Sequence, residues 1–198
     1  MMRTIIVLIL LCLALASSAS AQLVNGSFEP ASPFGTYWAL PGASTAIPGW
    51  TTTDTGVEWF DPIGYGVGYA GNGNYTVDLA NTLYTAGGIE QTFPTTPGTV
   101  YQISFLLGTS TGSGRLGTCE ISVEADGTSQ IFTASNPTPT IDWETKLFTF
   151  TADDTEATLS FRCTQNAHYY FAYIDGVSTT GVVSADEATM SELKNNYR

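Results

Sequence analysis

The sequence predicts an all-β protein, a β-sandwich of about nine to eleven short strands. Three observations carry that expectation. From Leu23 to Thr180 apolar residues recur at every second position, the period of a strand with one buried face. Each alternating run is bounded by turn residues: Asn72-Gly73-Asn74, Thr96-Pro97-Gly98, Asp126-Gly127, Asn136-Pro137 and Asp153-Asp154. The runs follow one another at roughly 8–12-residue spacing, as in sandwiches and barrels.

Taken in order, Asn25-Gly26-Ser27-Phe28-Glu29 reads as a first strand that sends Phe28 into the core and ends on a carboxylate. Residues 30–73 differ. They carry Pro33, Pro41, Pro48 and Pro62 among many glycines, with Phe34, Tyr37, Trp38, Trp50, Trp59, Phe60, Tyr65 and Tyr69. This is too apolar for disorder and too interrupted for long strands, so it predicts long loops packed on one face of the sandwich. Short strands are expected near Gly49–Thr52 and Val57–Phe60. Tyr75-Val77-Leu79, Tyr101-Ile103-Phe105-Leu107 and Leu159-Phe161-Cys163 then alternate cleanly with polar residues. Asp126-Gly127, between Ile121–Ala125 and Ser129–Thr133, is the strongest hairpin signal. Gly112-Ser113-Gly114-Arg115-Leu116-Gly117 formally matches G-x-G-x-x-G, but a strand, Thr118–Val123, follows it where dinucleotide binding needs a helix N-terminus. It predicts a connecting loop. Tyr173-Ile174-Asp175-Gly176-Val177-Ser178 is the last strand, again with a carboxylate.

Both ends of the chain stand apart from this pattern. Arg3, the apolar run Ile5–Ala16 and the small residues Ala19-Ser20-Ala21 form a secretory signal peptide over residues 1–21. That run is shorter than the roughly 20 residues of a membrane span. Residues 22–182 are the sandwich domain. Residues 183–198 open with Ser184-Ala185-Asp186-Glu187, a capping-box pattern, and predict a short C-terminal helix with Met190, Leu193 and Tyr197 on one stripe.

Behind the signal peptide, five basic residues (Arg115, Lys146, Arg162, Lys194, Arg198) face 18 acidic ones. Such a chain repels phosphate backbones and anionic lipid, which argues against nucleic-acid binding and membrane insertion. It suits an extracellular setting and partners such as neutral polysaccharide or divalent cations. Cys119 and Cys163 both fall on the apolar parity of their strands, and an even cysteine count in an oxidising compartment predicts a disulfide between them, with two buried free thiols as the alternative.

The chemistry is sparse. The single histidine, His168, lies on a turn with no nucleophile and carboxylate beside it, and no G-x-S-x-G stretch exists. Glu120 and Glu124 share the polar face of one strand, a spacing within reach of a glycosidase pair, which also needs a cleft. A glycoside-active enzyme is the third and most distant reading. No enzymatic activity is predicted. Glu29 and Asp175, each at a strand end, are expected to meet and share a cation, for which calcium suits two carboxylates supplemented by backbone carbonyls. Tyr37, Trp38, Tyr65, Tyr69 and Tyr84 occupy glycine-rich loop contexts and are the candidate sugar-stacking residues. Asn25 and Asn74 head N-glycosylation sequons, relevant only in a host that glycosylates.

Several of these segments resemble one known family. Asn25–Glu29, Pro48-Gly49-Trp50, Val57-Glu58-Trp59, Val77-Asp78-Leu79, Gly87–Phe93, Gly98–Tyr101, Ser104-Phe105 and Tyr173–Val177 are similar, in order and spacing, to the DUF642 and choice-of-anchor C proteins. These are galactose-binding-like jelly rolls akin to carbohydrate-binding modules. The resemblance implies a secreted, cell-surface- or wall-associated jelly-roll sandwich that binds carbohydrate and carries a structural calcium where its first and last strands meet. The alternative expectation is a structural subunit that self-assembles into a surface layer or fibre through sandwich edges or the C-terminal helix.

Overall fold

A computed structural model describes residues 23–79 and 85–182. The expected signal peptide (residues 1–21) and the expected C-terminal helical tail (residues 183–198) lie outside the described residues. Within them the chain forms eleven strands: β1 (Tyr37–Leu40), β2 (Thr51–Asp54), β3 (Val57–Phe60), β4 (Thr76–Asp78), β5 (Gly87–Pro94), β6 (Val100–Thr109), β7 (Thr118–Ala125), β8 (Thr128–Ser135), β9 (Asp142–Thr151), β10 (Glu156–Cys163) and β11 (Tyr173–Val182). One short helix, α1, spans Pro62–Tyr65. The strands build a jelly-roll β-sandwich. Its six-stranded sheet runs β1-β3-β4-β11-β6-β9 and its five-stranded sheet runs β2-β5-β10-β7-β8.

The period of two sets the core. Ile103, Phe105 and Leu107 of β6, Phe148 and Phe150 of β9, Ile121 and Val123 of β7, and Leu159 and Phe161 of β10 all point between the sheets and are buried. Asp126 and Gly127 both have positive φ (44° and 70°), so β7 and β8 meet in the tight two-residue turn expected of Asp-Gly. The Gly112–Gly117 stretch connects β6 to β7 and opens no helix beyond a single turn.

Three expectations change. Tyr37–Leu40, read as loop, is an edge strand because it pairs with Val57–Phe60, which supplies the backbone partners that its own sequence does not announce. Asn25–Glu29 is not a strand. Asn25 and Phe28 sit in the left-handed region (φ 52° and 54°), Phe28 N–H donates to Asn25 O at 3.1 Å, and Asn25 Oδ1 accepts from Glu29 N at 2.8 Å. The side chain of Asn25 therefore folds the segment into a turn. That turn seats Phe28 under two indoles: Trp50 Nε1 donates to Asn25 O at 2.9 Å and Trp59 Nε1 donates to Phe28 O at 2.7 Å.

Cys119 and Cys163 are free thiols in this structure, not a disulfide. Cys163 of β10 pairs with Ile121, which leaves Cys119 two residues further along β7. Such diagonal neighbours lie roughly 7–8 Å apart, beyond the usual disulfide span of about 4.4–6.8 Å between Cα atoms. Each thiol donates to a different carbonyl, Gly108 O at 3.7 Å and Gln165 O at 3.4 Å.

Candidate functional site: an aromatic arch on the six-stranded sheet

The outward face of the six-stranded sheet is unusual for a solvent face. A single cross-strand row runs Ala39, Glu58, Asp78, Tyr173, Gly108, Trp143 from one edge to the other. Asp78 and Tyr173 in this row, and Phe60, Thr76 and Asp175 beside it, are all buried although they point away from the core. Residues 61–74 cover them.

This arch is held by backbone atoms at successive points. Asp61 caps α1, its Oδ1 accepting from Ile63 N at 2.9 Å, and Gly66 ends the helix in the left-handed conformation. Tyr65 packs on Phe60 (centroids 5.6 Å apart), which in turn packs on Tyr173 (5.7 Å). The chain then crosses to the far edge, where Ile141 N–H donates to Val67 O at 2.8 Å and Trp143 Nε1 donates to Tyr69 O at 3.0 Å. Finally it returns to the centre. Gly71 N and Asn72 N donate to Asp175 Oδ2 at 2.8 and 3.0 Å, and Asn74 N and Tyr75 N donate to Glu29 Oε1 at 2.7 and 2.9 Å. Gly73 has φ 87°, and a Cβ there would run into Glu29 Oε1, so only glycine fits the close approach.

Glu29 and Asp175 thus grip two ends of one pentapeptide, Asp175 at Gly71-Asn72 and Glu29 at Asn74-Tyr75. Burial is the main cause that pushes the Asp175 carboxyl up to about 7, and the negative charge of Glu29 adds to it, while backbone N–H groups of Asn72, Gly176 and Gly71 act the other way. Among the described residues neither acid pairs with a lysine or arginine. The carboxylate oxygens of both acids accept N–H groups, mostly from the peptide backbone of this one loop. No group of three or more His, Cys, Asp or Glu side chains able to hold a metal forms among the described residues, so carbonyl or water oxygens would have to complete any coordination shell.

Beneath the arch, Glu58 stands directly opposite Asp78. Burial holds the Glu58 carboxyl above its ordinary range, and the Arg115 guanidinium pulls it back. Arg115 itself lies over the Phe171 ring, 4.4 Å from its centroid. Delivering that cation is what the glycine-rich Gly112–Gly117 loop does in this fold. Burial, with Asp78 next, also drives the Tyr173 hydroxyl well above the ordinary tyrosine range.

The exposed aromatics divide. Tyr37 and Tyr65 meet edge to face, centroids 5.7 Å apart, and Tyr69 on the arch is 74 % exposed. Trp143 is half-buried at the foot of the arch, its indole bonded to the Tyr69 carbonyl. Sequence reasoning missed it, and the only local signal was its place just beyond the Asn136–Pro139 turn. Trp38 is on the opposite face of β1 and joins Trp59. Tyr84 lies outside the described residues. Asn25 is half-buried, with Nδ2 donating to Glu29 O and Pro48 O at 3.1 Å each, whereas Asn74 is exposed. Glu120 and Glu124, four residues apart on β7, are separated by roughly 13 Å. Glu124 instead lines a polar groove of about 370 Å³ on the other sheet, with Glu90, Asp126, Glu156 and Arg162.

The family model described as "Protein of unknown function (DUF642)" matches residues 21–179. The chain belongs to the DUF642 family. Among solved structures, this DUF642 chain is similar to the arabinose-bound MgGH51 α-L-arabinofuranosidase, at 12% identity and TM-score 0.53, over 83% of this chain and 27% of that one. It is similar to the tandem CBM22-1–CBM22-2 domain of Paenibacillus barcinonensis Xyn10C, at 14% identity and TM-score 0.50, over 86% of this chain and 48% of that one. It also resembles TmCBM61 in complex with β-1,4-galactotriose, at 16% identity and TM-score 0.49, over 75% of this chain and all of that one. The first two likenesses establish the β-sandwich fold, which the tandem CBM22 domain shares. The DUF642 chain thus spans about a quarter of the arabinofuranosidase and half of the tandem. No curated protein matches it.

Proposed function

We propose that this protein is a secreted, non-catalytic glycan-binding module, with Tyr37, Tyr65, Tyr69 and Trp143 as its recognition surface and a calcium at Glu29 and Asp175 as its structural lock. The observation that carries the reading is the arch. It presents aromatic rings to solvent on a backbone anchored at both ends, so that stacking on the C–H face of a sugar costs little ordering. The fold shared with carbohydrate-binding modules supports the class of ligand, and the acidic, lysine-poor surface favours an uncharged polysaccharide outside the cell. Of the directly opposed acids, Asp78 is buried and Glu58 is half-buried, so the sheet face offers no open pair of carboxylates there. That supports binding over hydrolysis.

Isothermal titration with arabino-, xylo- and β-1,4-galacto-oligosaccharides tests this. Binding to at least one, weakened tenfold or more by Y65A/Y69A with the circular dichroism spectrum intact, is the expected result. Failure of every uncharged glycan in the panel to bind would overturn the reading. For the lock, calcium should raise the wild-type Tm and leave that of E29Q/D175N unchanged, and EDTA should reverse the gain.

A further inference from the structure

Tyr37 and Trp38 are consecutive on β1, so they leave the sheet on opposite faces. Tyr37 pairs with Phe60 and turns toward the arch, whereas Trp38 pairs with Trp59 on the side facing the second sheet. Residues that share that inward row, Leu40, Val57 and Trp59, are buried, yet Trp38 is 50 % exposed. Its ring lies nearly parallel to Trp59 (centroids 6.5 Å apart, 18° between planes) and takes the edge of Phe34 at 6.0 Å and 72°. One face of the indole is therefore backed by aromatics while much of the ring stays in solvent. It is held at the sheet edge, since β1 has no strand beyond it. The adjoining segment Ala31-Ser32-Pro33-Phe34-Gly35-Thr36 carries no charge and is exposed apart from Phe34.

We propose that Trp38 is the floor of a second glycan subsite, so that one chain of this protein holds two sugar segments on opposite faces of β1. This rests on the glycan-binding reading above. A flat ring, pre-positioned by Trp59 and Phe34 and adjoined by an uncharged segment that carries Ser32 and Thr36, fits the apolar face of a neutral pyranose. A self-association surface fits less well. A Trp side chain buries at most about 250 Å², against the roughly 800 Å² per partner of a stable interface. Because the two platforms face away from each other, separate polysaccharide strands occupy them and the module cross-links.

The test is stoichiometry, using the oligosaccharide that binds best in the panel above, with wild type, W38A, W38F and Y65A/Y69A. Two sites per chain in the wild type, one in W38A, one in Y65A/Y69A and two in W38F are expected. A long soluble polysaccharide of the same linkage should become turbid with wild type and W38F but not with W38A or Y65A/Y69A, and its apparent affinity should fall tenfold or more in either single-platform variant. One site per chain that W38A leaves untouched would overturn the second subsite while sparing the first. A dimer in gel filtration that W38A dissolves would overturn it in favour of self-association. No binding of any glycan would overturn both readings together.

Discussion

Burial pushes the thiols of Cys119 and Cys163 up to about 12 and about 11, so at pH 8 fewer than about one in a thousand is thiolate. Ellman's reagent should find no reactive thiol in the native protein and two per chain once guanidinium unfolds it without reductant. A disulfide would yield none. The same shifts set a sign for alkaline stability. Both folded values exceed the roughly 8.5 of a free thiol, so the folded state keeps protons that the unfolded chain releases. Stability is complete below that pH and falls as pH rises toward about 11, which a series of guanidinium melts would record. Glu29 offers a second check at this scale. Its Oε1 accepts from two backbone N–H groups, and E29Q removes the charge from both bonds. The expected cost is about 1–3 kcal/mol, read as a lower denaturation midpoint in EDTA, where the cation contributes nothing.

At the scale of elements, the strands were legible and the arch was not. Ile103-Phe105-Leu107 and Leu159-Phe161-Cys163 announce their faces through a period of two, because one face meets the core and the other meets water. Tyr37–Leu40 has no such contrast. Edge position exposes Trp38 on the inward side, so alternation fails where the strand is real. Asn25–Glu29 misleads in the opposite way, because a side-chain hydrogen bond and two left-handed residues outvote a strand-like composition. The arch could be recognised as aromatic and glycine-rich, but its path depends on contacts with Asp175, Trp143 and Ile141, each at least 70 residues away. G73A should uncouple it. Strain at φ 87° and the clash with Glu29 predict a loss above about 1 kcal/mol. Hydrogen exchange should quicken at Gly71–Tyr75 while the protection of β6 and β10 is retained.

For the whole molecule, the two acids were legible as carboxylates but not in their setting: Glu29 ends a turn, Asp175 lies inside β11, and the structure gives them a shared target. Both hold the same five residues of backbone, from the first and the last described segments of the chain. A fold closed this way ties its termini through a third party. Deleting residues 23–30 should therefore loosen the arch as well as the core, lowering Tm and abolishing glycan binding together, whereas W143A should weaken binding with a smaller change in Tm.

The anchoring of the arch has one more consequence. Glu29, Asp175 and Trp143 all grasp it by peptide N–H and C=O groups, which every amino acid supplies. Tyr65 packs on Phe60, whereas side chains at Ile63 and Tyr69 are exposed. Sequence there can drift, or be exchanged deliberately, without disturbing the scaffold, much as a tool head is swapped on a fixed handle. Specificity can then diversify among such sandwiches while their folding stays the same.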